Sequence, residues 1–290
     1  GGKMSNQGIE IMLSSTHTFP NRMQLDLSGN FTYVHNKLLE TYETSSTYNN
    51  PNRRLTGRSF ETQFGYKSLG YYTADDFNAD GSLKPGIASI RDAKVQPGDI
   101  KYADLYGPDG VPDGVIDSYD NTVIGRPKNS PQIIYGFTPT LSWKGFDLSA
   151  IFAYSIGGYI YNRDITMILH NGSLEGRDWS TEILKRWTPD NRNTDVPVLS
   201  TTTNNWNSAS TRFLQNNSYM RLKNLTLSYN LPKQWISKLS LSSVQVYVQG
   251  DNLFTIHRNQ GLDPEQGITG ITYYRYPAMR TISGGINVSF

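Results

Sequence analysis

The chain has 290 residues, 19 of them tyrosine and 26 glycine, and only 18% are charged, a composition that favours strands and turns over helices. Its net charge of +2 is too small to argue for a nucleic-acid partner, and the absence of cysteine excludes disulfides and thiolate metal sites. No run approaches about 18 apolar residues, which excludes a helical membrane span. A transmembrane β-barrel stays open, since its strands alternate apolar and polar residues.

The N-terminal part of the sequence predicts two strands, at Gly8–Thr16 and Met23–Val34, joined by a turn at Phe19-Pro20-Asn21. The opening G-G-K-M-S-N-Q-G lacks the basic, apolar and cleavage regions of a signal peptide and leads almost directly into the first strand. This beginning is typical of a chain cut from a longer protein.

A long irregular region follows, from about residue 35 to residue 130. It is rich in Asn, Asp, Gly, Pro and Tyr, and its one strand-like stretch lies near Phe60–Tyr72. Connections of this size are uncommon in compact domains and are usually functional.

Regular alternation returns at Gln132 and predicts a hairpin that turns at Lys144-Gly145 and ends near Ile156. A second long connection, 157–218, contains one predicted short helix near Thr181–Trp187. The next strand, Tyr219–Leu231, changes its apolar phase part-way, which predicts a β-bulge near Lys223-Asn224.

The last two strands alternate cleanly, one around Val244–Val248 and the other at the C-terminus, R-T-I-S-G-G-I-N-V-S-F. The terminal strand has an apolar face, a small-polar face and an aromatic end, as outer-membrane strands do. The prediction is therefore an all-β chain with seven antiparallel strands.

Connection lengths alternate along the chain: 17–22, 144–145 and 232–243 are short, whereas 35–131, 157–218 and 252–279 are long. Outer-membrane barrels have short periplasmic turns and long extracellular loops. The alternation predicts a transmembrane barrel whose three long connections are extracellular. Four aromatic residues are then expected in the periplasmic girdle: Trp143, Phe146, Trp235 and Phe290.

Six segments in order resemble the SusC/RagA family of TonB-dependent outer-membrane receptors. They are N-T-V-I-G-R-P-K-N-S-P-Q-I-I-Y-G-F, I-G-G-Y-I-Y-N, R-W-T-P-D-N-R-N-T-D-V-P, Y-M-R-L-K-N-L-T-L-S-Y-N-L-P, V-Q-V-Y-V-Q-G-D-N-L-F-T and G-L-D-P-E. The likeness spans residues 1–290 and implies the C-terminal seven strands of a barrel of about 22 strands, without the plug and the earlier strands.

The resemblance implies import of oligosaccharides or peptides across the outer membrane, with a SusD-like lipoprotein as a lid and the TonB complex acting through the N-terminal region that this chain lacks. The sequence contains no H-E-x-x-H pair, no G-x-S-x-G motif and no Gly-rich phosphate loop, so the prediction includes no enzymatic activity, no required cofactor and no nucleic-acid partner. The alternative is a soluble cell-surface β-rich protein that binds glycans, whose apolar faces would point inward.

Two groups of residues are candidates for binding sites. Aromatic side chains of the long connections can stack on sugars, anchor a partner or pack within the loops: Tyr159, Tyr161, Trp179, Trp187 and Trp206. The acidic segment Asp104–Asp120 resembles an EF-hand loop and predicts a structural Ca²⁺ with ligands from five residues: Asp109, Asp113, Val115, Asp117 and Asp120. The open alternative there is an acidic Asp-Gly turn cluster.

Overall fold

The computed structural model describes residues 2–42, 54–60, 62–124, 132–169, 178–200, 208–237, 241–265, 271–272 and 276–290. Within these ranges, no helix has both the length and the apolar character needed to cross a membrane.

The described strands are β1 Lys3–Thr18, β2 Gln24–Glu40, β3 Phe64–Gly65, β4 Ser68–Tyr71, β5 Ser89–Ile90, β6 Ile100–Tyr102, β7 Val115–Ile116, β8 Thr122–Val123, β9 Ile133–Trp143, β10 Phe146–Ile156, β11 Tyr159–Asn162, β12 Leu214–Asn216, β13 Tyr219–Asn230, β14 Ser243–His257, β15 Ile271–Thr272 and β16 Thr281–Ser289. The seven long strands form one sheet in which each strand pairs antiparallel with its neighbours in the order β1-β2-β9-β10-β13-β14-β16. The sheet is open, so the seven strands form an arc of barrel wall and not a closed barrel.

Helices contribute little to the described chain. Short α-helices span Arg163–Ile168 and Lys233–Ile236, and 3-10 turns span Ala74–Asp76, Ser118–Asp120, Thr181–Lys185 and Thr211–Phe213. The helix predicted near Thr181–Trp187 is therefore a 3-10 turn that ends two residues earlier.

The hairpin between β9 and β10 turns where the sequence predicts it. Trp143 pairs with Phe146, and the two residues between them, Lys144 and Gly145, have φ of 50° and 86°. Positive φ at both central positions gives the turn a twist that matches the flanking strands. Gly145 also lies close to the carbonyl of Asn230, where an added Cβ would be 3.0 Å from the oxygen.

One face of the sheet is apolar across all seven strands. A typical row passes from Ile11 through Phe31, Tyr135 and Tyr154 to Met220, each paired with the next. Many of these side chains are exposed in this chain, including Ile9, Leu13, Leu148, Leu227, Val248, Ile282 and Ile286. A continuous exposed apolar band on a sheet face is the arrangement of a lipid-facing barrel wall.

The predicted β-bulge keeps this face continuous. Pairing between β10 and β13 skips Lys223, so that Phe152 faces Leu222 while the adjacent Ile151 faces Asn224. Without the extra residue, every apolar side chain beyond this point would point to the opposite face.

The opposite face carries polar residues that hydrogen-bond across the strands. Examples are Ser142 to Asp147 at 2.5 Å, Asn230 to Asp147 at 2.8 Å and Asn224 to Asp251 at 2.7 Å. A barrel fragment exposes such a face to the lumen, whereas a sandwich buries an apolar face against a second sheet. The structure therefore corresponds to the barrel wall and not to the soluble alternative.

Strand register places the three long connections at one end of the sheet. They are the first connection (residues 41–132), the second connection (157–218) and the third connection (258–280). The first begins later than the sequence predicts because β2 continues to Glu40, and the third begins later because β14 continues to His257. Trp143, Phe146, Trp235 and Phe290 lie at or beside the short-turn end, as predicted for girdle residues.

The first connection contains a core of buried apolar residues. Tyr72, Ile100, Tyr102 and Ile116 are almost fully buried there, together with Ile90 and Tyr66. The Tyr72 hydroxyl donates to the carbonyl of Ala88 at 2.8 Å, and burial raises the pKa values of both Tyr72 and Tyr102. The prediction of one strand-like stretch in an otherwise irregular region was wrong, because six short strands surround this core.

Candidate functional site

The first and second connections are fastened together by backbone contacts. The amide of Tyr66 donates to the carbonyl of Ala209 at 2.9 Å, and the amide of Thr211 donates to the carbonyl of Tyr66 at 3.0 Å. Gly98 adopts φ of 91° and lies against the indole of Trp187, where a Cβ would be 2.5 Å from a ring carbon. The two connections therefore form one packed body.

A cavity of about 450 Å³ lies where all three long connections meet. The first connection contributes Tyr71, the second contributes Arg212 and Phe213, and the third contributes Gln260. The Gln215 side-chain oxygen accepts from the Gln260 amide at 2.7 Å and so joins the second and third connections at the cavity wall.

Arg212 is the cation of this cavity. Its Nη1 donates to the Tyr71 hydroxyl at 2.5 Å, and its Nη2 donates to the backbone carbonyl of Asp195. The guanidinium lies over the rings of Tyr71 and Phe213, at 5.4 and 5.3 Å from their centroids. These contacts fix the orientation of the side chain with neutral acceptors and aromatic faces.

A second polar cluster fastens the third connection to the lumenal face of the sheet. Arg221 on β13 has a side chain only 3% exposed and bonds to Asp263 at 2.5 Å and to Glu265 at 2.7 Å. Its Nε donates to the Thr255 hydroxyl at 2.8 Å, and Lys223 also bonds to Glu265, at 2.5 Å.

Asp263 is central to this cluster because it joins two ends of the third connection. Its carboxylate accepts from the backbone amides of Glu265 and Ala278, at 2.8 and 2.7 Å, as well as from Arg221. Burial alone would raise the pKa of Asp263, but the two backbone donors and Arg221 outweigh it and leave the pKa below its ordinary value.

No family model matches this chain, but individual known proteins match it over its whole length. TonB-dependent receptor P3 of Formosa agariphila is 29% identical over 310 residues, and TonB-dependent receptor SusC of Bacteroides thetaiotaomicron is 25% identical over 292 residues. The structure of the RagAB peptide transporter superposes on all of this chain with a TM-score of 0.73 and 26% identity.

Over its whole length, this chain is similar to TonB-dependent receptors of the SusC and RagA type. It spans 29% and 27% of the length of those two receptors and 30% of the matched RagAB chain. The relatives are receptors and transporters of the outer membrane.

The aromatic candidates occupy different environments. Trp187 is only 7% exposed and Tyr161 packs edge-on against Phe213, so both stabilise the connections; burial raises the pKa of Tyr161 to about 12. Tyr159 is half-buried on β11, and Trp179 is 41% exposed. Trp206 lies outside the described residues, and a binding role for all five remains a prediction.

The carboxylates of the acidic segment make local structural bonds. Asp117 pairs with Arg91 at 2.6 Å and caps the turn at Tyr119, while Asp120 is fully buried and accepts from the amides of Leu105 and Asp117.

The other two predicted carboxylate ligands lie nearer the surface: Asp113 accepts from the amide of Val115, and Asp109 is exposed. In the described part of the chain, no three acidic or histidine side chains are arranged to hold a metal ion.

Asp104 was not among the predicted ligands, yet the structure brings it to the glycine turn of the segment. Its Oδ2 accepts from the amide of Gly114 at 2.7 Å, while its Oδ1 is buried with no hydrogen-bond partner among the described atoms. The signal was present in the sequence, because Asp104 opens the acidic segment, but counting fixed spacings from Asp109 passed over it.

Calcium binding by this segment remains a prediction with a direct test. Calorimetry with CaCl₂ on the purified receptor is expected to show binding heat that disappears in an Asp109→Ala, Asp113→Ala variant, because both carboxylates are predicted ligands. Asp75→Ala, an exposed carboxylate of the same connection, is the matched control. Equal heats for the wild type and the double variant would contradict the prediction.

Sequence reasoning also missed Arg212 and the Arg221 cluster. The sequence does contain a signal for the Arg221 cluster, because R-L-K at 221–223 and D-P-E at 263–265 carry opposite charges with the same spacing. Only the fold shows that β13 and the third connection bring these stretches together.

Proposed function

We propose that this chain is the C-terminal seven-stranded part of an outer-membrane receptor barrel that imports oligosaccharides or peptides. The observation that carries the proposal is the continuous apolar face opposite a hydrogen-bonded polar face, with all three long connections at one end. The similarity to SusC and to the RagAB peptide transporter supports it.

In the proposed receptor, the apolar face contacts outer-membrane lipid and the three long connections are extracellular. The cavity and the Arg221 cluster then lie at the outer mouth of the barrel, where a solute arrives. A SusD-like lipoprotein covers these connections as a lid, and the TonB complex acts through a part of the receptor outside this sequence.

The receptor changes the location of its solute and not its covalent structure, so the proposal assigns it no enzymatic role. The packed connections fit this role. They place polar donors from three separate chain segments around one cavity while the sheet supplies a rigid wall.

The proposal predicts that deleting the gene abolishes uptake of an oligosaccharide or peptide that the parent strain takes up. The measurement is the rate of accumulation of a panel of labelled oligosaccharides and peptides in parent, deleted and complemented cells. Complementation is expected to restore uptake, and a TonB-deficient strain carrying the gene is expected to fail. Unchanged uptake of the whole panel in the deleted strain would contradict the proposal.

A further inference from the structure

We infer that the cavity between the three long connections binds a solute that carries a carboxylate, and that Arg212 is the residue that recognises it. The inference rests on the proposed function, because it names the chemical class of solute that the receptor accepts. It goes further by assigning the recognition to one side chain.

The first argument is the charge of Arg212. A guanidinium has five N–H donors, and the two bonds described for Arg212 go to a phenol and a backbone carbonyl, neither of which carries a charge. Within the described part of the chain, no carboxylate lies within ion-pair distance of it.

The second argument is the contrast with Arg221. Arg221 is almost fully buried and its guanidinium is matched by two carboxylates and a hydroxyl, which is the arrangement of a structural arginine. Arg212 is only partly buried and lines a cavity. Of the two arginines, Arg212 is the one that an added carboxylate can reach.

The third argument is preorganisation. The guanidinium lies over the rings of both Tyr71 and Phe213 and bonds to the Tyr71 hydroxyl, so a ligand does not have to order a long flexible side chain when it binds. A planar guanidinium matches a carboxylate with two parallel hydrogen bonds.

The remaining cavity wall suits a polar, elongated solute. Gln215 and Gln260 provide amide groups that can bond to hydroxyls or peptide groups, and the volume of about 450 Å³ is in the range of small-molecule sites. Asp195 also lines the cavity, and its exposed carboxylate repels a bound anion. Removing this charge is therefore expected to strengthen binding of an acid, whereas removing Arg212 is expected to weaken it.

A carboxylate can come from an acidic sugar or from a peptide, and two matched pairs of probes separate these sources. Trigalacturonate is compared with its trimethyl ester, and N-acetyl-tetra-alanine is compared with its C-terminal amide. Calorimetry on the purified receptor is expected to show that the acid of one pair binds at least about tenfold more tightly than its neutral match.

Three variants locate the preference. Arg212→Gln is expected to remove the preference for the acid, because it weakens binding of the acid about 10- to 100-fold and leaves binding of the neutral probe unchanged. Asp195→Asn is expected to strengthen binding of the acid. Arg192→Gln is the matched control, because Arg192 is an exposed arginine of the same connection that bonds only to the Pro189 carbonyl among the described residues.

Each outcome decides the inference. No preference for either acid in the wild type, or a preference that survives Arg212→Gln, overturns it. If Arg212→Gln does not fold, the sign of Asp195→Asn decides, and unchanged or weaker acid binding overturns the inference. Uptake is measured separately, so that the two proposals can fail independently. Import of neutral solutes alone supports transport and contradicts the carboxylate inference. Binding of an acid without import of any solute supports the inference and contradicts transport.

Discussion

Replacing Arg221 with methionine is expected to release the third connection from the sheet. Removing one partner of a buried ion pair costs about 3–5 kcal/mol, because the remaining carboxylate is left buried without its counter-charge. Asp263 carries most of this effect here, since Glu265 is 42% exposed and water screens its share. Hydrogen exchange on the purified receptor is expected to show faster exchange at the amides of Glu265 and Ala278, which Asp263 holds.

Lys223→Met is the matched control for this prediction. Lys223 bonds to Glu265 alone among the described partners and is one-third exposed, so its loss is expected to cost at most about 1 kcal/mol. Equal protection of the third connection in both variants would show that Arg221 does not hold it.

Acidification is expected to have the same effect as the Arg221 substitution. The folded-state pKa of Asp263 is lowered, so its contribution to stability is fully present above the ordinary pKa of about 3.9 and is lost as pH falls through the lower folded value. The fastening is thus expected to persist at pH 5 and to weaken only in stronger acid.

The seven long strands were predictable from sequence because successive side chains of a strand point to opposite faces, and a barrel wall needs apolar residues on its lipid face and polar residues on its lumenal face. The phase change in β13 is a good example: Met220 and Leu222 have one parity and Leu225 and Leu227 the other, and Lys223, the one residue skipped in the pairing with β10, reconciles them. Local alternation carried this information without any knowledge of partner strands.

The core of the first connection was not predictable in the same way. Its strands are two to four residues long, too short to show a period, and tyrosine is as common on surfaces as in cores. Tyr72 is buried by Ile90, Ile100 and Ile116, which lie up to 44 positions further along the chain. Contacts between distant short segments leave no local pattern.

The acidic segment shows a different limit of sequence reasoning. Spacing alone fits both a cation loop and a set of turn caps, because each uses Asp and Gly at close intervals. The structure shows Asp117 and Asp120 accepting backbone amides of their own turn, and Asp117 paired with an arginine 26 residues away. That arginine, Arg91, could not be assigned as a partner from spacing.

Placing an arginine at Val248 is expected to impair the receptor severely if the apolar face contacts lipid. Val248 is 49% exposed in this chain, lies between Leu227 and Gly284 on the apolar face, and is five residues from the short-turn end of β14. With a rise of about 3.3 Å per residue and a tilt of about 40°, that position is close to the middle of an apolar band about 25 Å tall. An arginine there is expected to cost about 2–4 kcal/mol.

Two control substitutions on the same strand separate lipid exposure from burial in a protein core. Gln249→Arg places the charge on the lumenal face, between Thr226 and Ser283, and is expected to be tolerated. Val244→Arg lies on the apolar face but near the membrane boundary, where the cost falls to about 0–1 kcal/mol. The measurement is urea unfolding of the receptor from lipid vesicles, together with its level in the outer membrane. A cost at Val244 as large as that at Val248 would mean that protein packing, and not membrane depth, governs this face.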